Sequence, residues 1–197
     1  TTYSSLETTM FQLRNSDARG KADFGWLDSK HSFSFGNYYD ANHMGFRTLR
    51  VINEDKVLPN KGFGTHGHKD MEIISYVISG ELAHKDSMNN GSTIVRGDVQ
   101  RMSAGTGVQH SEFNASNNET VHFLQIWILP NQNNHTPGYE ERNFAGDRHN
   151  TLRLMVSGDA SADALHINAD IQLFGSELDA GHILTHTFAP HRHGWVQ

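Results

Sequence analysis

The sequence predicts an all-β protein, and three observations carry that prediction. From Met71 onward, short apolar runs of strand length follow one another, separated by Gly, Asp and Asn turn signals. Asn89-Asn90-Gly91 is a strong hairpin signal. No part of this region repeats its apolar residues with a helical period. The pattern fits a barrel or a sandwich.

Composition bounds the rest. A chain of 197 residues can hold one large or two small domains, and 36% hydrophobic residues with 11 Phe supply a core. The net charge of −6 and the absence of any basic run argue against a sequence-independent grip on nucleic acid. With no Cys there are no disulfides, thiolate ligands or cysteine nucleophile, so a bound metal would rest on His, Asp or Glu. Thr1 to Met10 is polar, and no stretch has the apolar length of a membrane span, so the expectation is a soluble, cytoplasmic protein with no membrane partner.

The elements follow in order. Met10 to Leu13 could pair as an edge strand after a polar tail, and Gly20 and Gly25 mark a loop region around Trp26 and Leu27. His31-Ser32-Phe33-Ser34-Phe35 alternates and reads as a short strand or an extended loop, with the two Phe read as core rather than substrate contacts. Phe46 to Asn53 is rich in β-formers, and Asp55 to Lys61 turns through Pro59. Ile73 to Ser79, Glu81 to Asp86, Ser92 to Val95 and Val99 to Ser103 read as successive strands. Gly105 and Gly107 permit a sharp bend before His110. Val121 to Leu129 is apolar on both faces, as expected of a central strand. Pro130 to Gly138 is a polar, proline-bounded connector, which places a domain boundary between 136 and 137. Tyr139 to Phe144, Thr151 to Val156, Ala164 to Ile167, Asp170 to Leu178 and His182 to Phe188 read as further short strands.

Two segments carry the chemistry. Gly62-Phe63-Gly64-Thr65-His66-Gly67-His68 and Gly105-Thr106-Gly107-Val108-Gln109-His110-Ser111-Glu112 each follow a Gly-x-Gly turn. In a strand, side chains two apart share a face. His66 and His68 can therefore aim two imidazoles at one point, and His110 and Glu112 can add a nitrogen and a carboxylate. Three nitrogens and an oxygen suit a divalent transition metal.

These residues resemble a known family. Gly62 to Gly80 resembles the first cupin motif, and Gly97-Asp98 through Glu112 the second. With His31-Ser32-Phe33-Ser34-Phe35, Tyr38-Tyr39-Asp40, Met102-Ser103-Ala104-Gly105-Thr106-Gly107 and Gln125-Ile126-Trp127-Ile128, the combination over roughly Gly20 to Glu141 is similar to the pirin family, specifically its bacterial quercetinase-like members. The resemblance implies a cupin (jelly-roll) barrel over 1–136 and a second cupin-like domain over 137–197. Only about sixty residues remain for that second domain, so it is expected to be shortened and to leave an open sheet edge, to be covered or paired with a second copy in a homodimer.

The pirin pattern implies His66, His68, His110 and Glu112 as metal ligands, with Glu112 also the general base. Glu72, the glutamate of the first motif, is then left to a structural or supporting role. The implied cofactor is one divalent metal, Fe first, with Mn, Co, Ni, Cu or Zn as alternatives, since His and carboxylate ligands discriminate weakly. The implied reaction is flavonol (quercetin) dioxygenation: a flavonol and O2 meet at the metal, and the heterocycle opens with loss of carbon monoxide. The alternative is a non-enzymatic, metal-dependent regulatory pirin that binds other proteins. His122 reads as a hydrogen-bonded core residue, and either it or Gln125 could orient a ligand. His191-Arg192-His193 reads as a solvated tail rather than a second site.

Overall fold

The computed structural model describes residues 11–159 and 163–197. The described strands begin with β1 (Gly20–Asp23), β2 (Leu27–His31), β3 (Leu49–Val57), β4 (Gly62–His68) and β5 (Glu72–Ser79). They continue with β6 (Glu81–Asp86), β7 (Gly91–Val95), β8 (Asp98–Ser103), β9 (Val108–Asn114) and β10 (Val121–Ile128). The last are β11 (Gly138–Asn143), β12 (Arg153–Ser157), β13 (Leu165–His166) and β14 (Gln172–Gly175). Two single 3-10 turns are the other regular elements among the described residues. No helix among them is long and apolar enough to cross a membrane.

Two sheets face each other across the barrel. The larger has seven strands in the order β1-β2-β3-β10-β5-β8-β11, and the smaller has four in the order β4-β9-β6-β7. As the apolar pattern of Val121 to Leu129 requires, β10 is central, flanked by β3 and β5. One face of it, with Val121 and Phe123, packs into the barrel against Leu82 and Ile94 of the smaller sheet. The opposite face, with Ile126, joins Ile52, Ile74 and Val99 and packs against Phe144, Met155, Val156, Leu165 and Ile167. Each such fully buried side chain contributes about 1.5–3 kcal/mol.

The chain after the connector divides between two places. Strand β11 pairs with β8 and completes the large sheet. Beyond it, β13-β12-β14 form a separate three-stranded sheet, a second β unit on the outer face of the first. His182 to Phe188, expected as a strand, forms none. The expected strand at Met10 to Leu13 falls partly outside the described residues, and Phe11 to Leu13 is unpaired. Two strands form where glycines marked a loop, β1 as a whole and the start of β2, while Ser32 to Ser34 lies outside any strand, and β3 starts at Leu49 and runs to Val57.

Glu72 shows how the two units are joined. It begins β5 on the face turned away from the barrel interior, the face it shares with Ile74. Its Oε2 accepts from Ser103 Oγ (2.8 Å) and the Asn168 backbone N–H (3.3 Å), and its Oε1 from Asn168 Nδ2 (3.2 Å). Buried at 1% exposure, it ties the second unit to the edge of the metal-motif region. Hydrogen bonds to a buried charged group contribute about 1.5–3 kcal/mol. Glu72→Ala is therefore expected to lower stability by about 3 kcal/mol in equilibrium denaturation, and a loss below about 0.5 kcal/mol would contradict this clamp.

Candidate metal centre

Strand β9 lies between β4 and β6 and presents His110 and Glu112 on its inward face. Across the ladder His66 pairs with His110, Asp86 with His110, and His84 with Glu112. The β4–β9 pairing carries an irregularity between Phe63 and His66, where Gly64 and Thr65 fall. A bulge at this point re-aims the side chains that follow it.

The three histidines converge. Ring centroids are 4.5 Å apart for His66 and His110, 4.8 Å for His66 and His68, and 4.9 Å for His68 and His110. One nitrogen from each lies within 4.8 Å of the others. His66 Nδ1 lies 2.8 Å from the Gly64 carbonyl oxygen, which only accepts, so Nδ1 carries a proton and Nε2 is the ring nitrogen turned toward the cluster. That Nε2 faces His110 Nε2 at 3.1 Å, while His68 Nε2 is buried with no partner. Two imidazole nitrogens this close need a proton or a cation between them. Burial, then the neighbouring His66, lowers His68 to about 4, and burial with the adjacent histidines lowers His110 to about 3. Both rings are thus neutral near pH 7, the form in which imidazole binds a metal.

Glu112 stands beside this cluster, grouped with His110 and His84 rather than with His66 and His68. It is fully enclosed. Gln100, Ser75 and Gln125 occupy one register row across β8, β5 and β10, and all three reach it. Ser75 Oγ donates to Oε1 (2.9 Å), Gln125 Nε2 to Oε2 (2.5 Å), and Gln100 adds a third hydrogen bond. Burial raises the Glu112 carboxyl, and these donors with His84 oppose the rise. His84 itself is saturated, with Nε2 on Asp86 (3.1 Å) and Nδ1 accepting from Gln100 (3.2 Å). It supports the floor and has no free lone pair.

Of the supporting residues weighed from sequence, Gln125 touches Glu112. His122 lies on the outer face, bonded to Glu54 at 3.0 Å and away from the centre. Phe33 is core, at 2% exposure, whereas Phe35 packs edge-on against Trp127, whose ring in turn meets His68. His193 is exposed and bonded to Arg47. Ser75, Gln100, His84 and Asp55 were not singled out from sequence. The inward phase of β5 and β8 was the only available signal for Ser75 and Gln100.

Asp55 has a measurable consequence. Burial, with Glu112 and other carboxylates nearby, pushes it from 3.8 up to about 7. Below 3.8 its carboxyl is neutral both folded and unfolded. Between 3.8 and about 7 only the unfolded chain ionises, so wild type loses stability as pH rises. Asp55→Asn should therefore gain on wild type through that window, by at most about 1.4 kcal/mol per pH unit, and hold a constant lead above it. A difference independent of pH in parallel denaturation series would contradict this placement of Asp55.

Two facing antiparallel sheets with a histidine–carboxylate cluster inside define the metal-binding cupin class. The chain belongs to the pirin family: residues 12–128 match the Pirin family model, and residues 154–197 match that of the quercetinase C-terminal cupin domain. It is 47% identical over 188 residues to a quercetin 2,3-dioxygenase of Escherichia coli K12, covering 95% of this chain and 80% of that one. A pirin-like protein of Caulobacter vibrioides is 42% identical over 189 residues, covering 95% and 81%. Among solved structures, E. coli YhhW superposes with a TM-score of 0.79 at 50% identity, over 82% of this chain and 68% of that one. Its nickel(II) complex gives 0.78 at 49% identity, over 82% and 69%.

Proposed function

We propose that this protein is a metal-dependent flavonol dioxygenase of the quercetin 2,3-dioxygenase type. His66, His68, His110 and Glu112 hold the metal in this reading, with iron as the working ion. The observation that carries it is the facing pair of Nε2 atoms 3.1 Å apart beside the unpartnered His68 Nε2, in a chain 47% identical to a protein named for this activity. A donor set of three imidazoles and one carboxylate fits a divalent transition ion. A bound metal supplies Lewis-acid and redox chemistry toward a substrate oxygen and O2.

The chain's own residues do the rest. Glu112 accepts the proton of the flavonol 3-hydroxyl, and its enclosure makes it a stronger base than a solvated carboxylate. Gln125, Ser75 and Gln100 hold its oxygens in place. Phe35 and Trp127 wall the His68 side and exclude water from it. The division into a metal-binding domain over 1–136 and a cupin-like domain over 137–197 is supported by the two separate family matches, with β11 serving the first sheet. A cytoplasmic setting accords with the absence of Cys. The test is headspace carbon monoxide from metal-loaded protein and quercetin in air. One carbon monoxide per flavonol consumed is expected, and flavonol loss without carbon monoxide would exclude this ring cleavage.

A further inference from the structure

We propose that Trp127 is a positioning residue of the metal centre, acting on Glu112 through the Gln125 side-chain amide. This rests on the reading of Glu112 as a ligand. The indole Nε1–H only donates, and it lies 3.3 Å from Gln125 Oε1. That contact fixes which end of the amide is which: with Oε1 on the indole, Nε2 must face Glu112 Oε2, where it lies at 2.5 Å. The reversed amide would set an oxygen against the carboxylate and leave the indole N–H facing an NH2 group. The same ring meets His68 edge-to-face, with centroids 4.9 Å apart. One side chain therefore touches both arms of the centre, the imidazole by packing and the carboxylate by a two-step hydrogen-bonded chain.

The layout of β10 makes this possible. Gln125 and Trp127 are two apart and share the inward face, so the Trp can bond back along its own strand. Gln125 pairs with Ser75, the other donor to Glu112, and Trp127 pairs with Ile73 in the core beneath the His68 side. Phe35 packs on Trp127 at 5.3 Å with the rings nearly perpendicular, which limits rotation of the indole.

The test is nickel(II) affinity, measured by competition with a chromophoric chelator, with the melting temperature of the metal-free protein followed in parallel. Trp127→Phe keeps a ring against His68 and removes only the N–H arm. It should weaken nickel binding about 10-fold, within the range for residues that orient a metal ligand. Gln125→Met should weaken it at least as much, and adding Trp127→Phe to Gln125→Met should change it by less than about twofold, since both act on one chain. Should Gln125→Met not fold, Glu112→Gln serves as the background, where Trp127→Phe should again have no further effect. Nickel affinity of Trp127→Phe within about twofold of wild type, or effects that multiply in the double variant, would overturn the proposal. A lowered melting temperature with unchanged affinity would do the same, showing a packing role alone. Failure of the dioxygenase reading is separable: normal nickel binding with these couplings, and no flavonol turnover, would sink the reaction and leave the positioning role intact.

Discussion

Glu112→Gln should yield a folded, metal-binding protein that has lost flavonol turnover by about 10²–10⁴-fold, the range for a general base held at the reacting proton. The substitution preserves shape and removes the charge. In wild type both carboxylate oxygens accept hydrogen bonds, from Ser75 and Gln125, with Gln100 adding a third. A glutamine amide turns one oxygen into a donor facing another donor. The expected penalty is one unsatisfied buried group, about 1–3 kcal/mol, which lowers the melting temperature without abolishing the fold. Metal affinity should also fall, because an amide oxygen is a poorer ligand than a carboxylate. Turnover normalised to metal occupancy is thus the measure that isolates the base. Normalised activity within about tenfold of wild type would remove Glu112 from that role.

His110→Ala has the second large effect. His110 is 2% exposed, lies between His66 on β4 and the His84–Asp86 pair on β6, and is the residue shared by the His66–His68–His110 cluster and the His84–His110–Glu112 cluster among the described residues. Removing its ring deletes a nitrogen that faces His66 and leaves a buried gap. Loss of a supporting residue costs a metal site about 10–100-fold in affinity, and loss of a ligand should exceed that. Metal analysis of the purified variant should find most of the ion gone, with His66 and His68 too few to hold it. Full occupancy would show that His110 is not a ligand.

How much of this was readable in the sequence depended on the distance between partners along the chain. His66 and His68, and likewise His110 and Glu112, are two apart, so the pleat alone put each pair on one face. That His66 and His68 meet His110 depends on β4 lying beside β9. The floor under Glu112 was another matter. Ser75 lies 37 residues before it in the chain, and only the β5–β8 and β5–β10 registers bring Ser75, Gln100 and Gln125 into one row. A shift of one residue in either pairing would turn one of them to the outer face. Asp55 was invisible for the same reason: its neighbour Glu112 is on the other sheet.

The ends of elements were the weaker reading. Alternation in His182 to Phe188 reflects β-propensity, but a strand also needs a ladder partner, and none is supplied there among the described residues. The opposite case is Tyr139 to Asn143, which follows the connector yet pairs with β8, since β8 offered the open edge of the large sheet. Gly105 was legible as a bend and proved more constrained than that. Its φ is +45°, and a Cβ there would lie 1.9 Å from the His135 carbonyl oxygen, so the connector folds directly over the second motif.

The most direct measurement is quercetin consumption in air by the purified protein reconstituted in turn with Fe, Mn, Co, Ni and Cu, with occupancy determined on each sample. The account predicts turnover with at least one metal, iron first, that scales with occupancy and disappears in Glu112→Gln. Full occupancy without turnover for every metal would contradict it, and would leave a pirin-family metal centre that serves regulation rather than catalysis.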